Sequence, residues 1–175
     1  MRRNARNVYE NPWLRFEAHE VVHPSGCNGE YGVVVVPPVS GVVVMDGDDV
    51  VLTSQERYAS GERVVEIVKG GAHAGESPLA CAQRETREEL GFVVEDWLEL
   101  PPLYEIPSIV TGRVSLFLAK NCRFVGLAPE REETIDTVRM PLFRAVELAL
   151  RGGIDDAVTV GALARAWALL RDPDE

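Results

Sequence analysis

The stretch that most constrains this chain is residues 70–92, GGAHAGESPLACAQRETREELGF, which reads as a loop, a helix and a stop. Ser77 is placed to accept a bond from one of the backbone N–H groups that a helix start leaves free. Pro78 suits the first helical position, where a missing N–H costs nothing. No breaker interrupts Ala80 to Glu85, and Gly91 stands where a helix commonly ends in a left-handed residue. At about 100° per residue, Leu79, Ala82, Thr86 and Leu90 form one stripe, the face expected against a core. Glu85, Glu88 and Glu89 fall on the adjoining arc at i, i+3 and i+4.

Carboxylates this close repel one another, by about a few tenths of a kcal/mol per solvated pair and by more when half-buried beside a core stripe. A hard divalent cation removes the conflict. Mg²⁺ takes oxygen ligands and keeps waters or substrate phosphates in its remaining positions. The plain alternative is a solvated acidic helix face with Arg84 and Arg87 as neighbours. Spacing decides between them. Gly70, Glu76, Arg84, Glu85, Thr86, Glu88, Glu89, Leu90, Gly91 and Phe92 fit the pattern G-x5-E-x7-R-E-U-x-E-E-x-G-U. Here U is a bulky apolar residue, and Thr86 fills one such place with its methyl. The pattern resembles the signature of the Nudix hydrolases. That resemblance implies an α/β/α sandwich around a mixed sheet, and metal-dependent cleavage of a nucleoside diphosphate linked to a further group X.

The rest of the composition is consistent with such an enzyme. A chain of 175 residues with 46% apolar content is expected to fold around one core. No apolar run approaches the roughly 18 residues of a membrane helix. The start, MRRNARNVYENPW, is basic but has no apolar core of a secretory signal. Cys27, Cys81 and Cys122 are odd in number and widely spaced, as expected of reduced thiols in a cytoplasmic protein. A net charge of −10 without a basic stripe excludes a nucleic-acid partner. The same charge repels a polyanionic substrate, which is a second reason to expect a bound cation.

Residues 1–12 read as a loosely packed arm. Trp13 to Val22 alternates partly, with Leu14, Phe16 and Ala18 on one side, and Tyr31 to Val36 is β-branched. The turn between them, His23 to Gly29, makes an N-terminal β-hairpin, which Pro37-Pro38 separates from the core. The expected division is therefore residues 1–38, arm and dimerisation hairpin, and residues 39–175, Nudix domain. Val42 to Met45 and Val50 to Thr53 flank the turn signal Asp46-Gly47-Asp48-Asp49. Short strands broken at Pro101-Pro102 are expected over 93–107, a strand over 113–120, a last strand over 134–140, and a helix over 141–150. Asp155 or Asp156 caps a final helix, Ala157 to Leu170, with Val160, Leu163, Ala164, Trp167 and Leu170 as its apolar stripe.

Within the Nudix hydrolases, the resemblance is to the branch of ADP-ribose pyrophosphatases, and it extends over roughly residues 13–171. That branch carries Q-x-R-Y on one strand and E-L-P-A-G running into the signature; this chain has Gln55, Arg57 and Tyr58, then Glu66-Ile67-Val68-Lys69-Gly70. Lys-Gly here looks more like the ADP-compounds hydrolases of the same branch, which also accept NADH and diadenosine polyphosphates. The resemblance implies Glu85, Glu88, Glu89 and the backbone carbonyl of Lys69 as ligands of Mg²⁺ or Mn²⁺, with Arg84 orienting the carboxylates. Arg57, Glu66, Gln55, Gly70, Gly71 and Ser108 are the implied substrate-binding residues, Ser108 lying in the place of the branch's specificity loop. The Lys69 ammonium is open between a role in the site and a plain surface charge. Glu76 is expected to accept backbone N–H bonds that shape its loop. A glutamate on the loop before the last core strand is the implied general base: Glu133 first, then Glu132 and Glu130, against the alternative of a solvated acidic loop. The implied reaction is hydrolysis of ADP-ribose to AMP and ribose 5-phosphate, with NADH, diadenosine polyphosphates and NDP-sugars as alternative substrates. A nucleotide-sensing module without catalysis is the competing class, and the complete carboxylate set argues against it. Enzymes of this branch look like homodimers that exchange N-terminal strands, so a second copy is the expected partner.

Overall fold

The computed structural model describes residues 2–127 and 135–171. The chain begins with a separate antiparallel sheet, β1 (Arg2–Glu10), β2 (Arg15–Val22) and β3 (Asn28–Val35), in the order β1-β2-β3. The expected hairpin is β2 and β3, and the residues read as a loose arm add β1 to it as a third strand. β1 shows no apolar alternation, but β2 offers it a backbone ladder, and the strand pairs from Arg2↔Val21 to Glu10↔Arg15 with two irregularities.

The larger sheet is built from β4 (Val39–Asp46), β5 (Asp49–Arg57), β6 (Glu62–Glu66), β7 (Val68–Gly71), β8 (Phe92–Leu103), β9 (Val114–Phe124) and β10 (Asp136–Pro141). Its path runs β10-β5-β4-β9-β8, with β4 and β9 parallel and the other pairs antiparallel, so the sheet is mixed. The turn after Asp46 closes on Gly47, whose φ of 64° is left-handed. β4 and β5 pair only near this turn, from Val44↔Val51 to Asp46↔Asp49. Beyond it they splay. β6 then pairs the far half of β5, and β7 pairs the first half of β4. That split places Glu66 against β5 and Val68 to Gly71 against β4.

Side-chain alternation along the buried strands sends successive residues to opposite faces. Val42, Val44, Val51, Phe117 and Ala119 pack with Ala82 and Leu90 of α1 (Pro78–Leu90). Val43, Met45, Val50, Leu52, Leu116 and Leu118 pack with α2 (Leu142–Leu150) and α3 (Ala157–Leu170), through Ala145, Val158, Ala162 and Leu163. Helices on both faces make the expected α/β/α sandwich. Runs of β-branched residues buried on both sides are what a sheet covered twice requires.

Three local expectations need correction. β8 is one strand that runs through Pro101-Pro102, with its register shifted between Leu100 and Leu103; prolines are accommodated where the ladder is already irregular. In α1 the buried set is Cys81, Ala82, Thr86, Glu89 and Leu90, while Leu79 is exposed. In α3 the buried face is Val158, Thr159, Ala162, Leu163 and Ala166; Ala164 and Leu170 face solvent.

Candidate active site

α1 is set by its ends. Ser77 accepts from the Ala80 N–H, Pro78 follows, and Gly91 closes the helix at φ 70° with its N–H on the Arg87 carbonyl. A side chain at Gly91 would also strike the Gly126 backbone, so both the dihedral and the space call for glycine.

Between these ends the acidic arc is organised by Arg84. Its Nε and Nη2 donate to the two oxygens of Glu76, both at 3.0 Å. Nη1 donates to Glu85 Oε1 at 2.7 Å and to Glu88 Oε2 at 3.1 Å, and Nη2 reaches the Gly71 carbonyl at 2.9 Å. Arg84, expected to orient the carboxylates, is therefore the hub of a wider network. Glu76 accepts the His73 N–H at 2.9 Å, as the loop requires. Arg84 first, then that backbone bond, holds the Glu76 carboxyl down at about 2. Burial pushes the Glu85 carboxyl above its usual range, against the pull of Arg84. Glu89 is buried, whereas the Glu88 side chain is half exposed.

Gly70 joins this arc to the split in the sheet. A Cβ there would lie 2.0 Å from Glu85 Oε1, so the missing side chain is the space the Glu85 carboxylate fills. The contact found at this glycine is with Glu85. Beside it opens a cleft of about 640 Å³, lined by Arg57, Glu66, Lys69, Gly70, Gly71 and Asp156 among others. Arg57 and Glu66 meet there: Nε and Nη2 donate to Glu66 Oε2 at 2.9 and 2.6 Å. Glu66 is buried, not an exposed strand residue. The Lys69 ammonium is no plain surface charge, since it pairs with Glu66 at 3.1 Å and Asp156 at 2.6 Å. Gln55 is buried in β5 opposite Val64, on the strand face that also carries Arg57 and Glu66. Ser108 lies on the loop after β8, where its carbonyl accepts from Tyr31 of β3 at 2.6 Å. Val34 exchanges backbone bonds with Ile109 and Thr111 of the same loop, and Glu105 of that loop lines the cleft. The N-terminal sheet is thus stitched to one wall of the site. Glu130, Glu132 and Glu133 lie outside the described residues.

Sequence reasoning missed the Lys69–Asp156 pair and the place of Glu105. Asp156 was legible as a helix cap, but its second partner comes from a strand far away in the chain.

Among the described residues no three acidic, His or Cys side chains form a ready-made cage, because Glu85 and Glu88 lean on Arg84. The donor chemistry nevertheless suits a hard cation. Three carboxylates share one face of α1, one is buried, and another is half-buried with its charged form disfavoured by burial.

The NUDIX domain model matches residues 36–160, most of the chain and all of the site just described. The chain belongs to the NUDIX domain family. Within that family it is similar to an ADP-ribose pyrophosphatase and to an ADP compounds hydrolase. It is 32% identical over 134 residues to the ADP-ribose pyrophosphatase of Mycobacterium tuberculosis, covering 75% of this chain and 65% of that one. Identity to the ADP compounds hydrolase NudE of Escherichia coli is 31% over 124 residues, 69% of this chain and 66% of that protein. The chain thus spans slightly under two thirds of the length of these two relatives. A crystal structure of an ADP compounds hydrolase superposes with a TM-score of 0.86 at 22% identity, covering 98% of this chain and 94% of that one, a likeness of fold. No helix of the Nudix chain among the described residues is long and apolar enough to cross a membrane.

Proposed function

We propose that this Nudix hydrolase cleaves, with Mg²⁺, the pyrophosphate bond of a nucleoside diphosphate linked to X, with ADP-ribose as the substrate and AMP and ribose 5-phosphate as products. One observation carries the reading: the acidic arc of α1 and the Arg57–Glu66 cleft, distant in sequence, meet at Gly70-Gly71. A phosphate-binding part and an X-binding part then adjoin. Glu85, Glu88, Glu89 and the Lys69 carbonyl are the residues that would hold Mg²⁺. The ion supplies charge neutralisation on the phosphates and a lowered pKa for water. Arg84 keeps the carboxylates in place through Glu76 and the Gly71 carbonyl. Arg57 offers its guanidinium to the substrate. Gln55 and Ser108 stand on the strand and loop that flank it. Glu133, or Glu132 beside it in sequence, takes the proton from attacking water at its carboxylate.

Val68-Lys69 in place of Pro-Ala, with the similarity to an ADP compounds hydrolase, favours a second reading in which NADH or diadenosine polyphosphates are also cleaved. Three free cysteines support a reducing, cytoplasmic setting. The N-terminal sheet supports a homodimer whose strands are exchanged or shared near the site. The deciding experiment is phosphate-product release from ADP-ribose, NADH, diadenosine triphosphate and ADP-glucose with and without Mg²⁺. Preferential cleavage of ADP-ribose is expected. No cleavage of any of the four would end the proposal.

A further inference from the structure

Glu66 and Asp156 are acids on different elements, a buried one ending β6 and a partly buried one capping α3. Each has two oxygens that burial obliges it to pair. Glu66 Oε2 is taken by Arg57, and Asp156 Oδ2 by the Thr159 N–H at 2.9 Å and its hydroxyl at 2.6 Å. The remaining oxygens, Glu66 Oε1 and Asp156 Oδ1, both receive the Lys69 ammonium. Side-chain exposures of 5%, 12% and 15% for Glu66, Lys69 and Asp156 leave little water to replace it. Two acids and two bases balance in charge, so losing one member strands another. Thr159 Oγ1 also accepts the Ile67 N–H at 3.0 Å, which fastens the start of α3 to the same segment.

From these contacts we propose that Lys69 and Asp156 are positioning residues for the cleft. They hold Glu66 in the orientation that aims the Arg57 guanidinium, so that substrate affinity depends on the N-terminus of α3. Glu66, with both oxygens engaged, acts through Arg57 and does not itself touch substrate. The inference rests on the proposed role of Arg57 in binding.

The test compares Lys69→Met, Asp156→Asn and Lys69→Arg in the full chain. Asn still offers Thr159 a capping oxygen, so Asp156→Asn removes the charge and not the cap. The first readout is hydrogen exchange of the Arg57 Nε–H by nitrogen-15 NMR, its signal identified by loss in Arg57→Lys; it needs no substrate. The second is KM and kcat for ADP-ribose, well below the melting temperature. In Lys69→Met and Asp156→Asn, Nε–H exchange and KM should each rise about tenfold, and in Asp156→Asn kcat should stay within about threefold of wild type. Lys69→Arg should restore both. Unchanged exchange in both variants overturns the inference. So does a lowered melting temperature with unchanged KM, which marks the tie as structural alone. If Lys69→Met fails to fold, Asp156→Asn decides by itself. If wild type cleaves none of the ADP compounds, the proposed function has failed, and the exchange readout still decides the tie.

Discussion

At Glu89 a carboxylate is held in a buried position on α1, on the side that also buries Ala82, Thr86 and Leu90. Such a placement makes sense for a group that meets a cation. Glu89→Gln is expected nearly to abolish Mg²⁺-dependent turnover. Retention of more than about a tenth, a loss below roughly 1.4 kcal/mol, would remove Glu89 from the metal site. The loop acid is a separate matter. A positioned base contributes about 10²–10⁴-fold, so Glu133→Gln should lower kcat by that factor and leave Mn²⁺ affinity unchanged. The low-pH limb of the rate profile should flatten in the same variant. If Gln at Glu130, Glu132 and Glu133 in turn leaves kcat within about threefold, the proton goes elsewhere.

At the scale of elements, α1 and β7 depend on a single missing side chain. Gly70→Ala would put a methyl where Glu85 Oε1 lies, and the flexible end of Glu85 can swing away at small cost to the fold. The expected result is a fall in Mn²⁺ affinity of about tenfold or more, read by electron paramagnetic resonance, with little change in melting temperature. Equal affinity in Gly70→Ala and wild type would mean that Glu85 is no ligand. The loop before α1 depends on Glu76. Its carboxyl titrates at about 2 in the folded chain against an ordinary 4.5, so the charged form favours folding. That stabilisation is present above pH 4.5 and is lost as pH falls through about 2. Thermal melts between those limits should therefore fall less steeply in Glu76→Gln than in wild type. Parallel profiles would show that Arg84 does not depend on the Glu76 charge.

In the whole molecule, the N-terminal sheet is the part with least core of its own. Among its described strand residues only Ala18 is buried, while Tyr9, Phe16 and Tyr31, with Trp13 of the β1–β2 turn, show apolar surface. A second copy covering that surface is expected, and light scattering at micromolar concentration should return about twice the mass of one chain; a monomer would refute it. What the sequence determined by itself was local and periodic. Ser77, Pro78 and Gly91 mark the ends of α1, the spacing of Glu85, Glu88 and Glu89 marks its chemical face, and the β-branched runs mark a sheet covered on both sides. These follow from helical and strand periods and from capping, which act over a few residues. The third N-terminal strand, the unbroken course of β8 through two prolines, the space at Gly70 taken by Glu85 and the Lys69 link from Glu66 to Asp156 were decided by tertiary structure alone. Each depends on a partner brought in from a distant part of the chain, and burial then determines which oxygen must be paired with which donor.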